Sequence, residues 1–275
     1  MKDFFSSLGI EFYSLVPLSR CKILKKYLLE KNGFDESANA ILFLIPYRSK
    51  IEPVNLSAYA SVKDYHGFVK MLDLELEKYV SDKYPNGRFK LFADHSPIDE
   101  VHGACISGLG FIGDNGLLIN EKYSSFVFLA ECITNLSASE IGLEVCPDIS
   151  VKECLHCGAC MRACPSNCIS NTDPRPKSEC LSAITQKKGA LNDGEIKMML
   201  DSGVIWGCDI CQNVCPFTKN AKYTPIEYFN EDVISLLDSD TLNSLDDELF
   251  LTRPFSWRGR DVIKRNVEIY ERSKK

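Results

Sequence analysis

The sequence predicts an α+β protein in which a mixed α/β domain is followed by a small cysteine-rich domain. Short apolar runs of strand length alternate with helical patterns over residues 1–150, whereas nine of the 13 cysteines lie between Cys154 and Cys215. The hydrophobic fraction of 45% and the charged fraction of 25% are those of an ordinary globular chain and exclude a disordered or fibrous protein. We expect three parts, at residues 1–150, 151–220 and 221–275.

Apolar runs predict the strands of the first part. Residues 41–45 are expected to form a buried strand that Pro46 ends, and residues 89–93 and 126–130 are further strand candidates. Residues 61–80 carry apolar side chains at helical spacing. The irregular order of these elements favours an α+β or loosely α/β domain over a regular doubly wound fold.

Charge and hydropathy restrict the partners and the compartment. The net charge of −6 excludes binding of nucleic acid through overall charge. The segment from residue 221 begins as an acidic linker and ends in a predicted basic helix, so Arg253–Lys275 is the candidate phosphate contact. No apolar run approaches the ~20 residues of a membrane helix, and the first residues lack a signal-peptide core. We expect a cytoplasmic protein with no membrane segment.

The cysteine spacing predicts metal clusters, because a reducing compartment does not sustain a disulfide framework. Cys154, Cys157, Cys160 and Cys164, followed by Pro165, have the spacing with which bacterial ferredoxins hold [4Fe–4S] clusters. In two-cluster proteins the fourth cysteine of this motif ligates the other cluster. The motif therefore predicts a bacterial ferredoxin-like domain.

A second, incomplete copy of the motif supports two clusters. Cys208, Cys211 and Cys215 repeat the pattern without its first cysteine, for which Cys180 is the substitute. Crossed ligation then gives one set of Cys154, Cys157, Cys160 and Cys215, and a second set of Cys180, Cys208, Cys211 and Cys164. A four-thiolate zinc site is the alternative, but two cysteine-proline motifs are more typical of iron–sulfur proteins.

Two segments of the first part carry other candidate residues. Gly108, Gly110 and Gly113 match a dinucleotide fingerprint, but a strand and not a helix is expected at residues 117–120. These glycines more plausibly allow the backbone to approach a flat, bulky ligand. Asp94 is, from sequence alone, a turn acceptor before a helix that Ser96 would cap.

Five stretches together carry a family resemblance. They are Lys63-Asp64-Tyr65-His66, Asp94-His95-Ser96-Pro97-Ile98, the run Gly108–Ile119, the run Ser125–Glu131 and Gly207-Cys208-Asp209-Ile210-Cys211-Gln212. Over about residues 40–270 the chain resembles the epoxyqueuosine reductase family, whose cobalamin- and iron–sulfur-dependent members complete queuosine in the tRNA anticodon. The resemblance implies a corrinoid-binding first domain and two [4Fe–4S] clusters.

The resemblance also implies roles for individual residues. Asp94 corresponds to the family's proposed proton donor, and an aspartate that donates at neutral pH must be buried against apolar side chains, for which Phe92 and Phe111 are candidates. The residues expected to contact the cofactor are Tyr65, His66, Ser96, Gly108, Gly110, Phe111, Gly113, Asn115, Ser125 and Gln212. Electrons are expected from a reduced ferredoxin or a flavodoxin-type donor.

Departures from the family pattern keep other functions open. Asp114 stands where the family has a lysine, and the family's C-terminal helical repeat domain, which helps to hold tRNA, is expected to be missing. The first expectation is reduction of epoxyqueuosine in tRNA. One alternative is a corrinoid-dependent reductase or dehalogenase of a small molecule, and another is an electron-transfer protein that reactivates a corrinoid partner.

Overall fold

The computed structural model describes residues 1–146, 153–170 and 177–272, so the expected domain boundary at residue 150 lies outside the described residues. The strands are β1 Tyr13–Pro17, β2 Asn39–Pro46, β3 Phe89–Phe92, β4 Phe111–Ile112, β5 Leu118–Ile119 and β6 Val127–Thr134. The helices are α1 Lys2–Ser7, α2 Lys26–Lys31, α3 Ala58–Ser61, α4 Tyr65–Lys83, α5 Glu100–Ile106, α6 Ala138–Ile141, α7 Ala159–Ala163, α8 Leu181–Thr185, α9 Asp193–Ser202, α10 Ile210–Asn213, α11 Ser239–Ser244, α12 Asp247–Leu251 and α13 Arg260–Arg272.

The main sheet of the described chain has four antiparallel strands in the order β1-β2-β6-β3. All residues of β2 after Asn39 are buried, which explains the unbroken apolar run at residues 41–45. β6 pairs with β2 on one side and with β3 on the other, so Glu131 lies between Leu42 and Phe92 in the centre of the sheet. The strands predicted at residues 41–45, 89–93 and 126–130 are confirmed.

Helix α5 lies close against this sheet and fixes the loop that precedes it. A Cβ atom at Gly103 would lie 2.8 Å from Leu42 Cδ2, so the glycine lets α5 approach β2 without displacing the Leu42 side chain. The core beneath the helix contains the buried side chains of Leu44, Ile98 and Ile133. The glycine at position 103 therefore allows the first turn of α5 to lie close to the centre of the sheet.

The chain divides into two compact units that differ from the expected three parts. The first contains Met1–Pro46 and His66–Leu155, and the second contains Tyr47–Tyr65 and His156–Lys275. Residues 47–65 join the second unit through backbone hydrogen bonds, as in the 2.9 Å bond from Ser57 N–H to Trp206 O. The C-terminal segment forms no separate part, because Val262 and Val267 of α13 pack in one core with Trp206.

No helix in the described ranges is long and apolar enough to cross a membrane.

Candidate active site

Asp94 follows β3 in a loop with a left-handed backbone. Its φ is 62°, a conformation that aspartate and asparagine tolerate better than most residues. Its backbone N–H donates to Glu100 Oε1 at 3.1 Å, which ties the loop to α5. The Asp94 side chain is 77% exposed. The expected burial against Phe92 and Phe111 is therefore wrong, because both rings are turned into the interior, where they are 9% and 5% exposed.

His66 is the side chain that the structure brings to Asp94. Its Nε2 lies 4.0 Å from Asp94 Oδ2, and its side chain is 58% exposed. His66 stands near the start of α4, which is anchored by the buried Phe68 and Leu72. A carboxyl group and an imidazole thus meet at an accessible point, and these are two of the side chains most used for acid–base catalysis.

Ser96 does not cap the helix that follows, so that expectation is wrong. The N-cap of α5 is Asp99, whose carboxylate accepts the His102 N–H at 3.1 Å. Ser96 is buried, and its hydroxyl binds Glu131 Oε1 and accepts the Ile98 N–H at 3.0 Å. The hydroxyl is engaged inside the protein, and its contact with a cofactor remains a prediction.

Two acids behind the loop were missed by the sequence argument. Glu131, in the middle of β6, is completely buried, and Glu100, in the first turn of α5, is half-buried. Burial raises the pKa of Glu131 well above its usual 4.5, and the neighbouring Glu100 carboxylate raises this pKa further. Burial also raises the pKa of Glu100 to about 7, against the opposing effect of the hydrogen bond from Asp94 N–H. The position of Glu131 within the apolar run of β6 was the sequence signal that could have identified it as a buried acid.

Replacing Glu131 by glutamine is expected to stabilise the protein at alkaline pH. Because the pKa of Glu131 is raised in the folded state, its contribution to stability is complete below the unfolded pKa of about 4.5 and declines as the pH rises toward the folded value. At pH 8 we expect Glu131→Gln to raise Tm by about 3 °C, or about 1 kcal/mol, and at pH 4.5 by much less. Thermal melts from pH 4.5 to 8 test this. Glu77→Gln, at an exposed position of α4, should show no such pH-dependent gain.

The glycine-rich run forms a β-hairpin, as expected from the strand that follows it. β4 pairs antiparallel with β5, so a dinucleotide-type turn into a helix is excluded here. A Cβ atom at Gly110 would lie 2.5 Å from Ile119 O, and one at Gly113 would lie 2.7 Å from Asn115 Oδ1. The hairpin itself requires glycine at position 110, where the Cβ would meet backbone atoms, whereas at position 113 the Cβ would displace the ends of two side chains. Gly108 has a φ of 75° and is exposed. Cofactor contacts of the three glycines remain predictions.

The other residues expected to bind the cofactor have different exposures. Tyr65 and Asn115 are half-buried, whereas Ser125 is buried. Asn115 Oδ1 accepts the Leu117 N–H at 3.3 Å and stabilises the hairpin turn. Asn115 therefore has a structural role in the turn. Contacts of Tyr65, Asn115 and Ser125 with a cofactor remain predictions.

In the second unit, Gln212 braces the loop that carries the second cysteine motif. It is buried, and its Nε2 donates to Asp209 Oδ1 at 2.8 Å. Asp209 Oδ2 accepts the Ala58 N–H at 2.6 Å, and burial raises the pKa of Asp209 to about 6. Gln212 also accepts, through its backbone oxygen, the Thr218 hydroxyl at 2.7 Å. These bonds fix the positions of the cysteines on either side of Gln212.

The structure brings together three thiols of the second predicted ligand set. Burial is the main cause that raises the pKa of Cys208 to about 12, and Asp209 and the nearby Cys180 and Cys164 contribute to the same increase. Cys164 ends α7, Cys180 precedes α8 and Cys208 precedes α10, so helix ends place these thiols near one another. α7 packs against α10, which carries Cys211. The two cysteine motifs are therefore folded against each other.

The remaining predicted ligands are placed as follows. Cys160 lies within α7, Cys215 precedes a short 3-10 helix, and Cys157 is exposed. Cys154 stands at the end of the first unit. Their grouping in a single cluster remains a prediction. Cys168, outside the predicted sets, directs its N–H to Cys164 Sγ at 3.4 Å, the kind of bond that tunes a cluster's potential.

Much of the basic C-terminal segment is used inside the second unit. Arg253 is 2% exposed and donates to Asp232 O at 2.7 Å, and Arg265 donates to Lys187 O at 2.8 Å. Arg258 stacks on Trp257, which is 58% exposed, with its guanidinium carbon 3.7 Å from the ring centre. The last three residues of the segment lie outside the described residues. The expected phosphate contact is thus restricted to part of the segment.

Comparison with known proteins identifies the family. Residues 153–218 match the family model of the 4Fe-4S double cluster binding domain. An epoxyqueuosine reductase of Leadbetterella byssophila is 32% identical over 220 residues, which are 78% of this chain and 70% of that protein. The chain belongs to the epoxyqueuosine reductase family. A member from Lactococcus garvieae is 32% identical over 213 residues, or 74% of this chain. The chain spans only 58% of the length of that member.

Solved structures share the fold of this family member. The crystal structure of an epoxyqueuosine reductase with an epoxyqueuosine-modified tRNA-Tyr stem loop has a TM-score of 0.75 at 24% identity, covering 98% of this chain and 79% of that one. A catabolic reductive dehalogenase in complex with 3-bromo-4-hydroxybenzoic acid has a TM-score of 0.51 at 15% identity. The alignment covers 99% of this chain and 35% of the dehalogenase chain. The predicted α+β fold with a double-cluster domain is confirmed.

Proposed function

We propose that this family member reduces epoxyqueuosine to queuosine in tRNA, with two [4Fe–4S] clusters and cobalamin as cofactors. The observation that carries the proposal is the exposed pair of Asp94 and His66, whose Oδ2 and Nε2 atoms are 4.0 Å apart. Removing the epoxide oxygen as water consumes two electrons and two protons. A proton-donating pair and a one-electron relay therefore suit this reaction.

The donor set supports the clusters. Cys164, Cys180 and Cys208 lie near one another, and thiolates are the usual ligands of [4Fe–4S] clusters. We assign Cys154, Cys157, Cys160 and Cys215 to one cluster, and Cys164, Cys180, Cys208 and Cys211 to the other. The match of residues 153–218 to a double-cluster domain supports the same assignment. Reduced ferredoxin or a flavodoxin-type protein remains the proposed electron donor.

The surface of the first unit is suited to a corrinoid at three points. His66 and the Gly108 backbone are exposed, and Ile112, on the opposite side of β4 from Phe111, is 41% exposed although it is apolar. An exposed apolar side chain beside a glycine can contact a flat macrocycle. When bound, cobalamin supplies a strongly reducing cobalt centre that can act on a carbon–oxygen bond.

Asp94 is the proposed proton donor, and in this role it must carry a proton when the reaction begins. An ordinary aspartate is ionised at neutral pH. Because Asp94 lies at the surface of its unit, the apolar surroundings that favour its neutral form have to come from bound cofactor and substrate. His66 is placed to return a proton to Asp94 after each transfer. The second proton comes from solvent or from His66.

The tRNA substrate is the part of the proposal that depends most on the relatives. A solved relative is described with an epoxyqueuosine-modified tRNA stem loop. In this chain the exposed Trp257 with Arg258 on its ring is a candidate contact, because aromatic rings stack on unpaired bases and guanidinium groups bind phosphate. A cytoplasmic location, where reducing conditions keep thiols free for cluster ligation, belongs to the same proposal.

The alternatives leave parts of the structure without a use. An electron-transfer protein with no substrate of its own would not require Asp94 and His66 to meet. A small-molecule dehalogenase is supported only by a fold likeness at 15% identity. Asp114, the charge change that suggested another substrate, is half-buried in the hairpin turn. Epoxyqueuosine in tRNA is therefore the substrate we propose.

A comparison of substrates tests this choice. The chain is reconstituted without oxygen with iron, sulfide and cobalamin, reduced, and given a tRNA stem loop carrying epoxyqueuosine, the free nucleoside or a brominated phenol. We expect at least tenfold faster turnover of the stem loop than of the nucleoside, because contacts to RNA add binding energy at the transition state. Bromide release without loss of the nucleoside oxygen would favour the dehalogenase. Reduction of the loaded cofactors with no turnover of any substrate would favour the electron carrier.

A further inference from the structure

Behind the Asp94 loop the first unit buries two neighbouring carboxyl groups. Glu131 is 0% exposed in the centre of β6, and Glu100 is half-buried at the start of α5. Burying even one carboxylate is costly unless it is paired with a cation or neutralised by a proton. No lysine or arginine forms an ion pair with either side chain among the described residues. A shared proton is therefore required to stabilise the pair.

The contacts of the two acids show where that proton belongs. Glu131 Oε1 is bound to the Ser96 hydroxyl, whereas Glu131 Oε2 is buried and has no donor among the described residues. The Glu100 carboxyl is close enough to form a hydrogen bond with Glu131 when the two groups share a proton. The Glu100 carboxyl is its neighbour and raises its pKa by repulsion. A proton on Glu131 thus removes the repulsion between the two groups. Glu100 is left as the charged member.

Glu100 in turn is bound to the catalytic loop. Its Oε1 accepts the backbone N–H of Asp94 at 3.1 Å, and this N–H belongs to a residue with a φ of 62°. A bond from an N–H to a charged acceptor is stronger than one to a neutral acceptor. The charge on Glu100 therefore stabilises the left-handed turn that presents the Asp94 side chain to solvent. On the other side of the loop, Lys25 Nζ lies 3.2 Å from His95 Nδ1.

The surroundings of the pair contain few other charges. Lys25, in the segment before α2, attracts the Glu100 carboxylate, and Asp94 repels it. Cys21, which follows β1, and Cys132, the next residue of β6, both have a raised pKa, for which burial is the main cause. They are neutral thiols at neutral pH. Among the described residues, Asp94 and Lys25 are thus the charged groups outside the pair that act on Glu100.

We propose that Glu100 and Glu131 hold one proton between them and act as positioning residues for Asp94. Glu131 carries the proton, and the Glu100 carboxylate fixes the Asp94 turn through the backbone N–H. The inference rests on the proposed function, in which Asp94 donates a proton to the departing oxygen. When the pH falls below about 7, Glu100 is protonated as well, so the pair then holds two protons. The hydrogen bond from the Asp94 N–H to Glu100 weakens as a result, and the Asp94 turn loses this restraint.

The pair is tested first in the chain itself, without cofactor or substrate. Difference infrared spectroscopy between wild-type protein and Glu131→Gln should show the C=O stretch of one protonated carboxylic acid at pH 8. A Glu100 signal should titrate near pH 7. Hydrogen exchange of the peptide that contains residues 92–99 should be at least fivefold faster in Glu100→Gln than in wild type at pH 8. Glu77→Gln serves as the exposed control, with wild-type exchange in this peptide.

The functional test compares an apolar and a polar replacement of Glu131. Glu131→Leu removes the group that shares its proton with Glu100. We expect kcat to fall about tenfold with little change in KM, because the misplacement of Asp94 slows the chemical step. Glu131→Gln has the shape of the protonated acid and can donate to Glu100, so it should restore most of kcat. In Glu100→Gln the ionisation near pH 7 should disappear from the profile of kcat. A cooperative thermal unfolding transition in each variant shows that the fold is retained.

The outcomes separate this inference from the proposed function. If Glu131 shows no protonated carboxylic acid at pH 8, or if exchange of residues 92–99 is the same in Glu100→Gln and wild type, the pair does not position Asp94. Equal kcat values for Glu131→Leu and wild type would also contradict a positioning role of the pair. If the infrared and exchange results are as expected but epoxyqueuosine in tRNA is not reduced, the pair stands and the proposed function fails.

Discussion

Asp94→Asn is expected to lower kcat for epoxyqueuosine reduction at least 100-fold, the usual loss when a general acid is removed. Asparagine retains the size of aspartate and is tolerated in the left-handed conformation that Asp94 adopts, so the turn and the hydrogen bond to Glu100 should remain. The amide has no acidic proton for the departing oxygen. KM should change much less than kcat, because the lost proton transfer belongs to the transition state. Rates of nucleoside conversion over a range of stem-loop concentrations measure both constants.

An exposed aspartate of the same unit provides the control. Asp82, near the end of α4, is exposed, and Asp82→Asn should leave kcat and KM unchanged. His66→Gln should lower kcat less than Asp94→Asn does, because His66 is proposed to return the proton and solvent can replace it. Wild-type kcat in Asp94→Asn would show that the proton comes from another group.

Cys208→Ser is expected to remove one cluster and nearly all activity. Cys208 lies close to Cys164 and Cys180, and an iron–sulfur cluster held by three thiolates instead of four is readily lost. Iron should fall from about eight to about four atoms per chain. Because the electron route then lacks one of its two centres, kcat should fall at least 100-fold. Iron and sulfide analysis after anaerobic reconstitution, with the electron paramagnetic resonance of the reduced protein, measures the loss.

Cys168→Ser is the matched control, because it changes a thiol in the same loop region that lies outside the predicted ligand sets. The Cys168 backbone N–H donates to Cys164 Sγ and is retained in the variant, and the Cys168 thiol accepts the Ser166 hydroxyl at 3.0 Å, so Cys168→Ser should keep about eight iron atoms. A full iron content in Cys208→Ser would contradict the assignment of Cys208. Loss of half the iron in Cys168→Ser would show that Cys168 is a ligand instead.

The strands and the cysteine motifs could be predicted from the sequence because local patterns determine them. An apolar run such as residues 41–45 is compatible with a strand buried on both faces, and β2 is such a strand. The spacing of Cys154 to Cys164 follows from the geometry of a cluster and needs no tertiary information. The face of α13 could likewise be predicted from its period, and Val262 and Val267 are buried on it.

The environment of Asp94 could not be predicted, because it depends on contacts between distant segments. The resemblance to the family implied a buried proton donor at Asp94, but the side chain is exposed at a left-handed turn. Glu100 and Glu131 are 31 residues apart in sequence, and only the packing of α5 on β6 makes them neighbours. Likewise, Gly110 suggested a ligand surface, although the backbone of its own hairpin partner, Ile119, leaves no room for a Cβ atom there.

A single turnover without an external electron donor tests the proposed reaction most directly. Two reduced [4Fe–4S] clusters hold two electrons, the number that removal of the epoxide oxygen as water consumes. Cobalamin-loaded protein is reduced, separated from the reductant, and mixed with a modified tRNA stem loop. We expect about one queuosine per chain, with oxidation of both clusters, measured by mass spectrometry of the nucleosides and by electron paramagnetic resonance. Fully reduced clusters that persist beside unchanged epoxyqueuosine would contradict it.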